Sequence, residues 1–575
     1  MKFVKPPRWT YRPDYPDEAR RLQREMGLPE LAARILANRN FHDCAATRAF
    51  LDAPLAGVRD PFELPDMDRA AGRIARAITR SEKIVVYGDY DADGICATAI
   101  LIALFRFLGA DAGYYIPHRV DEGYGLNITA IDKLAARGAR LIVTVDNGVT
   151  ANKEIDHAIR LGIDVVVADH HEPGEQLPAA CAIVDPKRHD RPYLHTEYSG
   201  AGVAWKLAHG VLREMGSDPE KGRAFLKAQM DLVALATIAD MVPLIGENRI
   251  LARAGLGMIR DGERPGIRAL MEVAGLHGSI NTRHIGFGLA PRLNAVGRTR
   301  SAALGVQLML AEEIDAARQM AQQMNDLNTE RRNIEKAMLE EAMEEYENLP
   351  EADRRRVTVL AREGWHPAFV GLIASRMTEM FYRPAFIITL NAGAGTAKGS
   401  ARSIAGFNLC DALRSFFPSQ DSYGGHAMAA GFRLKTGEAD AFRDAMVAYA
   451  NARLSDEQLC PDILIDLETP LSALSVEAVE ALENLQPFGE GHPRPIVSCS
   501  GVSLADTPRV VGQNHLKMRL YQSGTYISAI GWKLGKFDER LLRHQGSISV
   551  AGHPTLNEFQ GRRTPELELC DIRLE

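Results

Sequence analysis

Three short apolar runs in the first third of the chain each end in a group that carries charge. "KIVVYG" (83–88) leads into Asp89, "LIVTVDNG" (141–148) ends on Asp146, and "DVVVADHH" (164–171) ends on Asp169, His170 and His171. Runs of this length, rich in Val and Ile, read as strands buried on both faces. Between them "ATAILIALFRFLG" (97–109), "ITAIDKLAARG" (128–138) and "KEIDHAIRLG" (153–162) place apolar residues at helical spacing. Strands alternating with helices predict an α/β domain with a parallel sheet covered on both sides.

The pattern changes twice further on. From Val306 to Leu349 there is no Gly or Pro, and Leu310, Ile314, Ala317, Ala321, Met324, Ile334, Met338 and Ala342 keep helical spacing. This predicts a helix of about 40 residues, roughly 60 Å long, joining two domains around a cleft. Residues 355–450 return to alternating strand and helix. From about 460 the runs shorten and alternate, in "HLKMRLY", "YISAIGW", "ISVAG" and the closing "NEFQGRRTPELELCDIRL". Five such strands suit an OB-like barrel, a fold that grips single strands through basic and aromatic positions; Lys517, Arg519, Trp532, Arg562 and Arg563 are its candidates. The expected organisation is residues 1–305, an α/β domain with an N-terminal extension; 306–350, the connecting helix; 351–455, a second α/β domain; and 456–575, the barrel.

Composition narrows the class. The 575 residues carry a net charge of −7, seven Cys without a CxxC pair, and no apolar run long enough to span a bilayer. "MKFVKPPRW" has no signal-peptide apolar region. Together these predict a soluble, cytoplasmic protein, neither zinc-ribbon nor disulfide-framed. Any contact with phosphates requires locally concentrated positive charge. Residues 247–300 supply it, with nine Arg, including Arg283, Arg292, Arg298 and Arg300, against four acids. The region reads as a phosphate-facing wall, and "APRLNAVGR" (290–298), with its Pro, Asn and Gly, as a loop whose arginines fork onto phosphate oxygens.

The stretch "GDYDADG" (88–94) places Asp89, Asp91 and Asp93 on alternate positions. An EF-hand loop starts this way, but position 12, where its bidentate Glu belongs, is Ile100, and the preceding segment is a strand rather than a helix. The strand-then-DxDG arrangement of aspartyl-phosphate phosphatases fits Asp91 and Asp93, with Thr98 too late for the usual follow-on. In parallel sheets ligands gather at the carboxyl ends of the strands, and here three strands deliver metal-type side chains to that edge. Carboxylates with a few imidazoles suit Mn²⁺ or Mg²⁺ better than Zn²⁺. Such a set can hold two ions roughly 3.5–4 Å apart, activating a water for in-line phosphoryl displacement. Asp146, alone at its strand end, is the natural bridge.

The ordered series "GDYDADG", "VDNG", "ADHH" and "LVALATIADMVPL" (232–244) resembles the motifs of the DHH phosphoesterase superfamily. "GGHAMAAG" (424–431) resembles the signature of its companion DHHA1 domain, and "APRLNAVGR", "GWHPAFVGLIASR" (364–376) and "GSARS" (399–403) are similar to the RecJ branch. The resemblance covers essentially the whole chain. It implies a 5′-to-3′ exonuclease of single-stranded DNA working in repair and recombination, with metal ligands on Asp91, Asp93, Asp146, His170 and Asp240 and with His171 beside the scissile phosphate. Smaller relatives carry a His four residues ahead of Asp91; here that position is Tyr87, and Asp89 is the candidate to replace it. "IPHRVDEGYG" (116–125) offers Arg119 and Tyr124 on the catalytic side, Tyr124 as a group that stacks on a base, and Arg292 and Arg298 are the phosphate candidates of "APRLNAVGR"; the resemblance adds nucleic-acid binding around Ser400, Arg402 and His426. "GGHAMAAG" is expected to open a helix whose N-terminus meets a phosphate. The implied partners are single-stranded DNA, a single-strand-binding protein and a helicase. Another DHH phosphodiesterase acting on short oligonucleotides or cyclic dinucleotides is the alternative, and an inactive strand-binding scaffold is a third reading.

Overall fold

The computed structural model describes residues 6–119, 121–299, 301–419 and 422–575. Arg300, counted above in the basic region, lies outside them. Two compact units emerge: one comprises Arg12–Asn328 and Ile465–Glu575, the other Thr329–Leu464 with the N-terminal strand Arg8–Tyr11.

The first unit is built on the parallel sheet that the apolar runs predict. Its strands are β1 (Ile84–Tyr87), β2 (Ala112–Tyr115), β3 (Leu141–Val145), β4 (Asp164–Ala168) and β5 (Ala182–Val184), in the spatial order β2-β1-β3-β4-β5. Every residue of β1 and β3 is buried, as expected when helices cover both faces. Val86, Val143 and Val166 enter one core, while Val85, Ile142 and Val165 enter the other. The Ala92–Phe107 helix is buried almost all round, so its apolar residues serve the core rather than a membrane. No described helix is long and apolar enough to cross a bilayer. Register sets the functional edge: Tyr87 pairs with Thr144, Val145 with Ala168 and Ala168 with Val184. The residues following β1, β3 and β4 therefore leave the sheet side by side.

Two expectations in this unit are corrected. "APRLNAVGR" is not a loop: Ala290–Thr299 is a helix, entered through a π-helical turn, Ile285–Leu289. Its glycine is a docking surface, not a breaker, because a Cβ on Gly297 would lie 2.3 Å from the Tyr90 carbonyl oxygen. Nor do the arginines of 247–300 form a wall. Arg249 is buried, stacked 3.9 Å from the Phe50 ring centroid, and donates to the carbonyls of Phe50, Leu485, Gln486 and Pro487. Arg264 pairs with Asp231 at 2.7 Å, and Arg283 with Glu568 at 3.0 Å. These cations tie distant segments together; the buried Arg249 needs acceptors that satisfy its donors, while Arg283 makes an exposed pair with a barrel strand.

The C-terminal segment closes the barrel. Continuing in chain order, the second unit contributes β6 (Thr358–Glu363), β7 (Ala385–Asn391), β8 (Thr396–Arg402), β9 (Tyr423–Gly425) and β10 (Ala429–Lys435); the barrel contributes β11 (Val497–Leu504), β12 (His515–Gln522), β13 (Thr525–Gly531), β14 (Ile548–Phe559) and β15 (Arg562–Leu574). The order β11-β14-β15-β13-β12, with β12 returning to β11, makes a closed five-stranded barrel, extended by the short strands Leu467–Glu468 and Arg509–Val511. The helices Pro16–Met26 and Glu30–Asn38 share its core, where Leu22, Ile35 and Leu36 join Val479, Ile527 and Val550.

In the second unit the sheet order is β9-β10-β8-β7-β6, with β6 and β7 parallel and the other pairs antiparallel. "GGHAMAAG" is therefore the β9–β10 hairpin and not a helix start. Gly425 has φ 132°, and a Cβ there would meet the Ala429 carbonyl oxygen at 2.4 Å, so small residues serve the tight hairpin. The long helix is Ile314–Asn348, 35 residues, separated from the preceding Ala303–Met309 helix. It buries Ala317, Ala321 and Met324 in the first unit and Met338, Ala342 and Tyr346 in the second.

Candidate metal centre

Each strand end delivers its side chains through a local device. After β1, Asp91 caps the Ala92–Phe107 helix, its Oδ1 accepting the N–H groups of Asp93 and Gly94 at 3.0 Å each. The loop is held close, since a Cβ on Gly94 would sit 2.6 Å from the Asp89 carbonyl oxygen. Asp146 follows β3 with φ 62°, a left-handed conformation that Asp tolerates better than most residues. Gly200 faces it, where a Cβ would come within 2.6 Å of the Asp146 Cβ. Asp93 accepts the N–H groups of Gly200 and Ala201 at 2.6 and 2.7 Å, from the start of the Gly200–Glu214 helix. Asp240 directly follows the Met230–Ala239 helix.

These pieces converge. Ligand atoms of Asp89, Asp91 and Asp146 lie within 4.8 Å of one another, as do those of Asp93, His170 and Asp240, and those of Asp146, His170 and His171. His170 Nε2 is 3.0 Å from Asp146 Oδ1, 3.7 Å from Asp93 Oδ2 and 3.8 Å from Asp240 Oδ2. Asp146 and His170 thus connect the sets. Asp89 is inside the cluster, whereas Tyr87 points away and donates its OH to the Gly125 carbonyl at 3.1 Å.

The electrostatics favour a cation. Burial, and then the Asp91 charge, push Asp93 up to about 7. Burial, followed by Asp93, Asp91 and Asp89, drives Asp146 well above the usual carboxylate range, and burial and Asp91 do the same to Asp89. Two ionised carboxylates at this spacing repel by about 3–4 kcal/mol at an effective dielectric of 20. Asp89 Oδ1 is buried without a hydrogen-bond partner among the described residues, an unusual state for a carboxylate oxygen. Burial and the neighbouring His171 push His170 down to about 3, leaving a neutral ring with a free lone pair.

His171 behaves oppositely. Burial disfavours its charge, but Asp169 Oδ1 at 2.8 Å from Nδ1 outweighs that and holds the ring at about 9. Asp169 itself is fixed by the N–H groups of Val149 and His170, and despite its burial its bond to His171 keeps it at about 2. Asp169 therefore orients His171, a role that the strand-end pattern alone does not distinguish from metal ligation. Tyr124 donates its OH to the Asp146 carbonyl at 3.0 Å and reaches His171 Nδ1 at 3.1 Å. Arg119 stacks 4.6 Å from the Tyr90 ring centroid, and Arg298 belongs to the helix that docks on Tyr90.

Arg292 does not face a phosphate as expected: it is buried, donating to Gly288 O at 2.5 Å, Asn325 Oδ1 at 3.0 Å and Val273 O at 3.3 Å, so it braces the 290–299 helix from behind. In the second unit Arg402 donates to Ala401 O at 2.8 Å and Ser400 Oγ at 3.3 Å. A Cβ on Gly371, at the start of the Val370–Phe381 helix, would lie 3.1 Å from Ser400 Oγ and 3.5 Å from Arg402 Nη2. His426 is exposed at the hairpin tip.

The chain matches the DHH family N-terminal domain over residues 83–237, the DHHA1 domain over 355–452 and the RecJ OB domain over 465–571. It is 38% identical over 569 residues to the single-stranded-DNA-specific exonuclease RecJ of Bacillus subtilis, covering 98% of this chain and 70% of that protein. The chain belongs to the RecJ family. The Escherichia coli RecJ is 35% identical, with 95% of this chain and 96% of that one covered. The crystal structure of RecJ from Thermus thermophilus in complex with Mn²⁺ aligns with a TM-score of 0.83 at 30% identity, over 98% of this chain and 79% of that one. A second RecJ structure from the same source is a complex with Mg²⁺.

The raised carboxylates give a measurable linkage. A folded-state value above the unfolded one stabilises the metal-free protein fully below the unfolded value, near 4, and that contribution is lost as pH rises through about 7, the Asp93 value. A tenfold change in proton affinity is worth about 1.4 kcal/mol. In EDTA the unfolding temperature should fall between pH 5.5 and 8. The stabilisation produced by Mn²⁺ should be larger at pH 8 than at pH 5.5. Calorimetry in buffers of different ionisation enthalpy should record protons released on metal binding; stabilisation independent of pH would contradict the raised carboxylates.

Proposed function

We propose that this chain is a cytoplasmic, metal-dependent exonuclease that hydrolyses single-stranded DNA from the 5′ end to 5′-mononucleotides, in DNA repair and recombination. The observation that carries this reading is the pair of connected ligand sets at one sheet edge with a protonated imidazole beside them. Asp89, Asp91 and Asp146 would hold one Mn²⁺ or Mg²⁺, and Asp93, His170 and Asp240 the other. The donors fit: hard oxygens with one neutral imidazole, repelling one another until cations arrive, and one orphaned buried oxygen. When bound, such ions activate water and neutralise charge in an in-line displacement at phosphorus.

The remaining roles belong to the protein. His171, with Nδ1–H held by Asp169, presents Nε2–H to a phosphate oxygen as negative charge develops there. Tyr124 braces that ring. Arg119, stacked on Tyr90, and Arg298, on the helix whose Gly297 docks against the Tyr90 carbonyl, supply positive charge for the strand next to the cleaved bond. Ser400 and Arg402, beside the start of the 370–381 helix, suit a terminal 5′-phosphate, and His426 at the exposed hairpin tip is a further donor for it. On the barrel, Arg519 stacks 4.7 Å from the exposed Tyr526 ring, whose centroid is 4.9 Å from that of Tyr521, an aromatic and basic surface for an unpaired strand. Trp532 is half-exposed, while Arg563 is engaged by Glu480 and Glu483. A single-strand-binding protein and a helicase are the partners that would present such a strand.

The test is a time course on one oligonucleotide labelled in turn at each end, single-stranded and duplexed, with Mn²⁺, Mg²⁺ or EDTA. Early release of the 5′-terminal mononucleotide from the single strand only, abolished by EDTA, is expected. First release from the 3′ end overturns the polarity. Cleavage confined to very short oligomers points to a small-substrate phosphodiesterase, and binding without cleavage under every metal points to a scaffold.

A further inference from the structure

Resting on the reading of the acidic edge as a metal centre, we propose that Asn294, assisted by Gly297, is a positioning residue that clamps the Asp89–Asp93 loop into its metal-binding shape. The three aspartates alternate with Tyr90 and Ala92, and it is these two intervening residues that the 290–299 helix holds. Ala92 begins its own helix, so its N–H has no intrahelical acceptor. The residue is buried, and Asn294 Oδ1 accepts that N–H at 2.8 Å across 202 residues of sequence. Gly297, three residues on and hence on the same helical face, lies so close to the Tyr90 carbonyl that any side chain would collide with it. Arg292, braced behind the same helix by Asn325, Gly288 and Val273, keeps the clamp from retreating.

The clamp has an electrostatic reason to exist. A loop carrying three carboxylates, two of them buried, opens by self-repulsion unless its backbone is tethered from outside. Asn294 supplies a neutral acceptor at a peptide N–H and adds no further charge to the cluster. The peptide it holds joins Asp91 to Ala92, with Asp93 next in sequence, so losing the tether releases a member of each ligand set. Tyr90 also carries Arg119, so the same helix fixes that guanidinium.

Mn²⁺ binding measured by calorimetry on the full chain decides the matter, with unfolding temperature in EDTA recorded for each variant. Asn294→Ala should weaken Mn²⁺ binding about 10–100-fold, as loss of a partner behind metal ligands typically does. Asn294→Asp, which keeps an acceptor oxygen and whose added charge the bound cations offset, should recover most of that loss. Gly297→Ala should weaken binding similarly even though alanine is the better helix former. It settles the outcome if Asn294→Ala fails to fold. In the activity assay the Mn²⁺ concentration for half-maximal rate should rise while KM for the strand stays within twofold. A folded Asn294→Ala protein that binds Mn²⁺ like the wild type, or one with a lowered unfolding temperature and unchanged Mn²⁺ affinity, overturns the inference and leaves the metal centre standing. A wild-type chain that binds no Mn²⁺ overturns both.

Discussion

Replacing Asp146 with alanine should reduce kcat at least about 10³-fold on single-stranded DNA, at any concentration of Mn²⁺ or Mg²⁺. Among the described residues Asp146 alone shares ligand sets both with aspartates of the 88–94 loop and with the two histidines, and its Oδ1 lies 3.0 Å from His170 Nε2. Ions held in such a site contribute several kcal/mol to the transition state, and each 1.36 kcal/mol is tenfold in rate. The fold should survive. Removing a buried carboxylate whose proton affinity is raised by its neighbours relieves repulsion, so in EDTA the variant should unfold at the same temperature as the wild type or higher. A variant with unchanged rate excludes Asp146 from the residues that hold the ions, and one unfolded at room temperature assigns Asp146 to structure.

His171→Ala separates phosphate stabilisation from metal binding. Asp169 keeps the ring charged, and a ring protonated at both nitrogens offers no lone pair to a metal. Loss of a donor aimed at developing charge costs about 10²–10³ in kcat. The variant should therefore lose that factor while binding Mn²⁺ with the wild-type affinity and stoichiometry. The proton gives a second signature. His171 is held at about 9, so the wild-type rate should decline on the alkaline side as the ring loses its charge, and the variant should lack that decline. A His171→Ala protein that loses Mn²⁺ affinity in parallel with rate makes His171 a ligand instead.

The sheet and its acidic edge were legible in the sequence because both are local. Val- and Ile-rich runs bounded by turn residues report buried strands, and the first polar residues after them mark the carboxyl edge. Asp240 was different. Nothing in an apolar helix ending in Asp singles it out, and only the family motif placed it beside His170. The 290–299 helix is illegible because Pro291, Asn294 and Gly297 look like breakers; in the structure Asn294 caps another segment and Gly297 allows close packing. The 424–431 hairpin is illegible for a related reason, since glycine and alanine that suit a phosphate loop suit a tight antiparallel turn equally well. The arginines of 247–300 were illegible in principle. Whether Arg249 or Arg283 faces solvent or an acceptor depends on Leu485 and Glu568, more than 200 residues away in sequence. Asp169 shows the finer limit: the pattern brings it to the edge, but only geometry shows that its oxygens point at His171 and backbone N–H groups.

The most direct test of the two-ion centre is a Mn²⁺ titration of the full chain followed by electron paramagnetic resonance. The expected result is two ions per chain with a spin-coupled spectrum at saturation, and loss of the coupling in Asp146→Ala. A single, magnetically isolated ion per wild-type chain at saturation would contradict it.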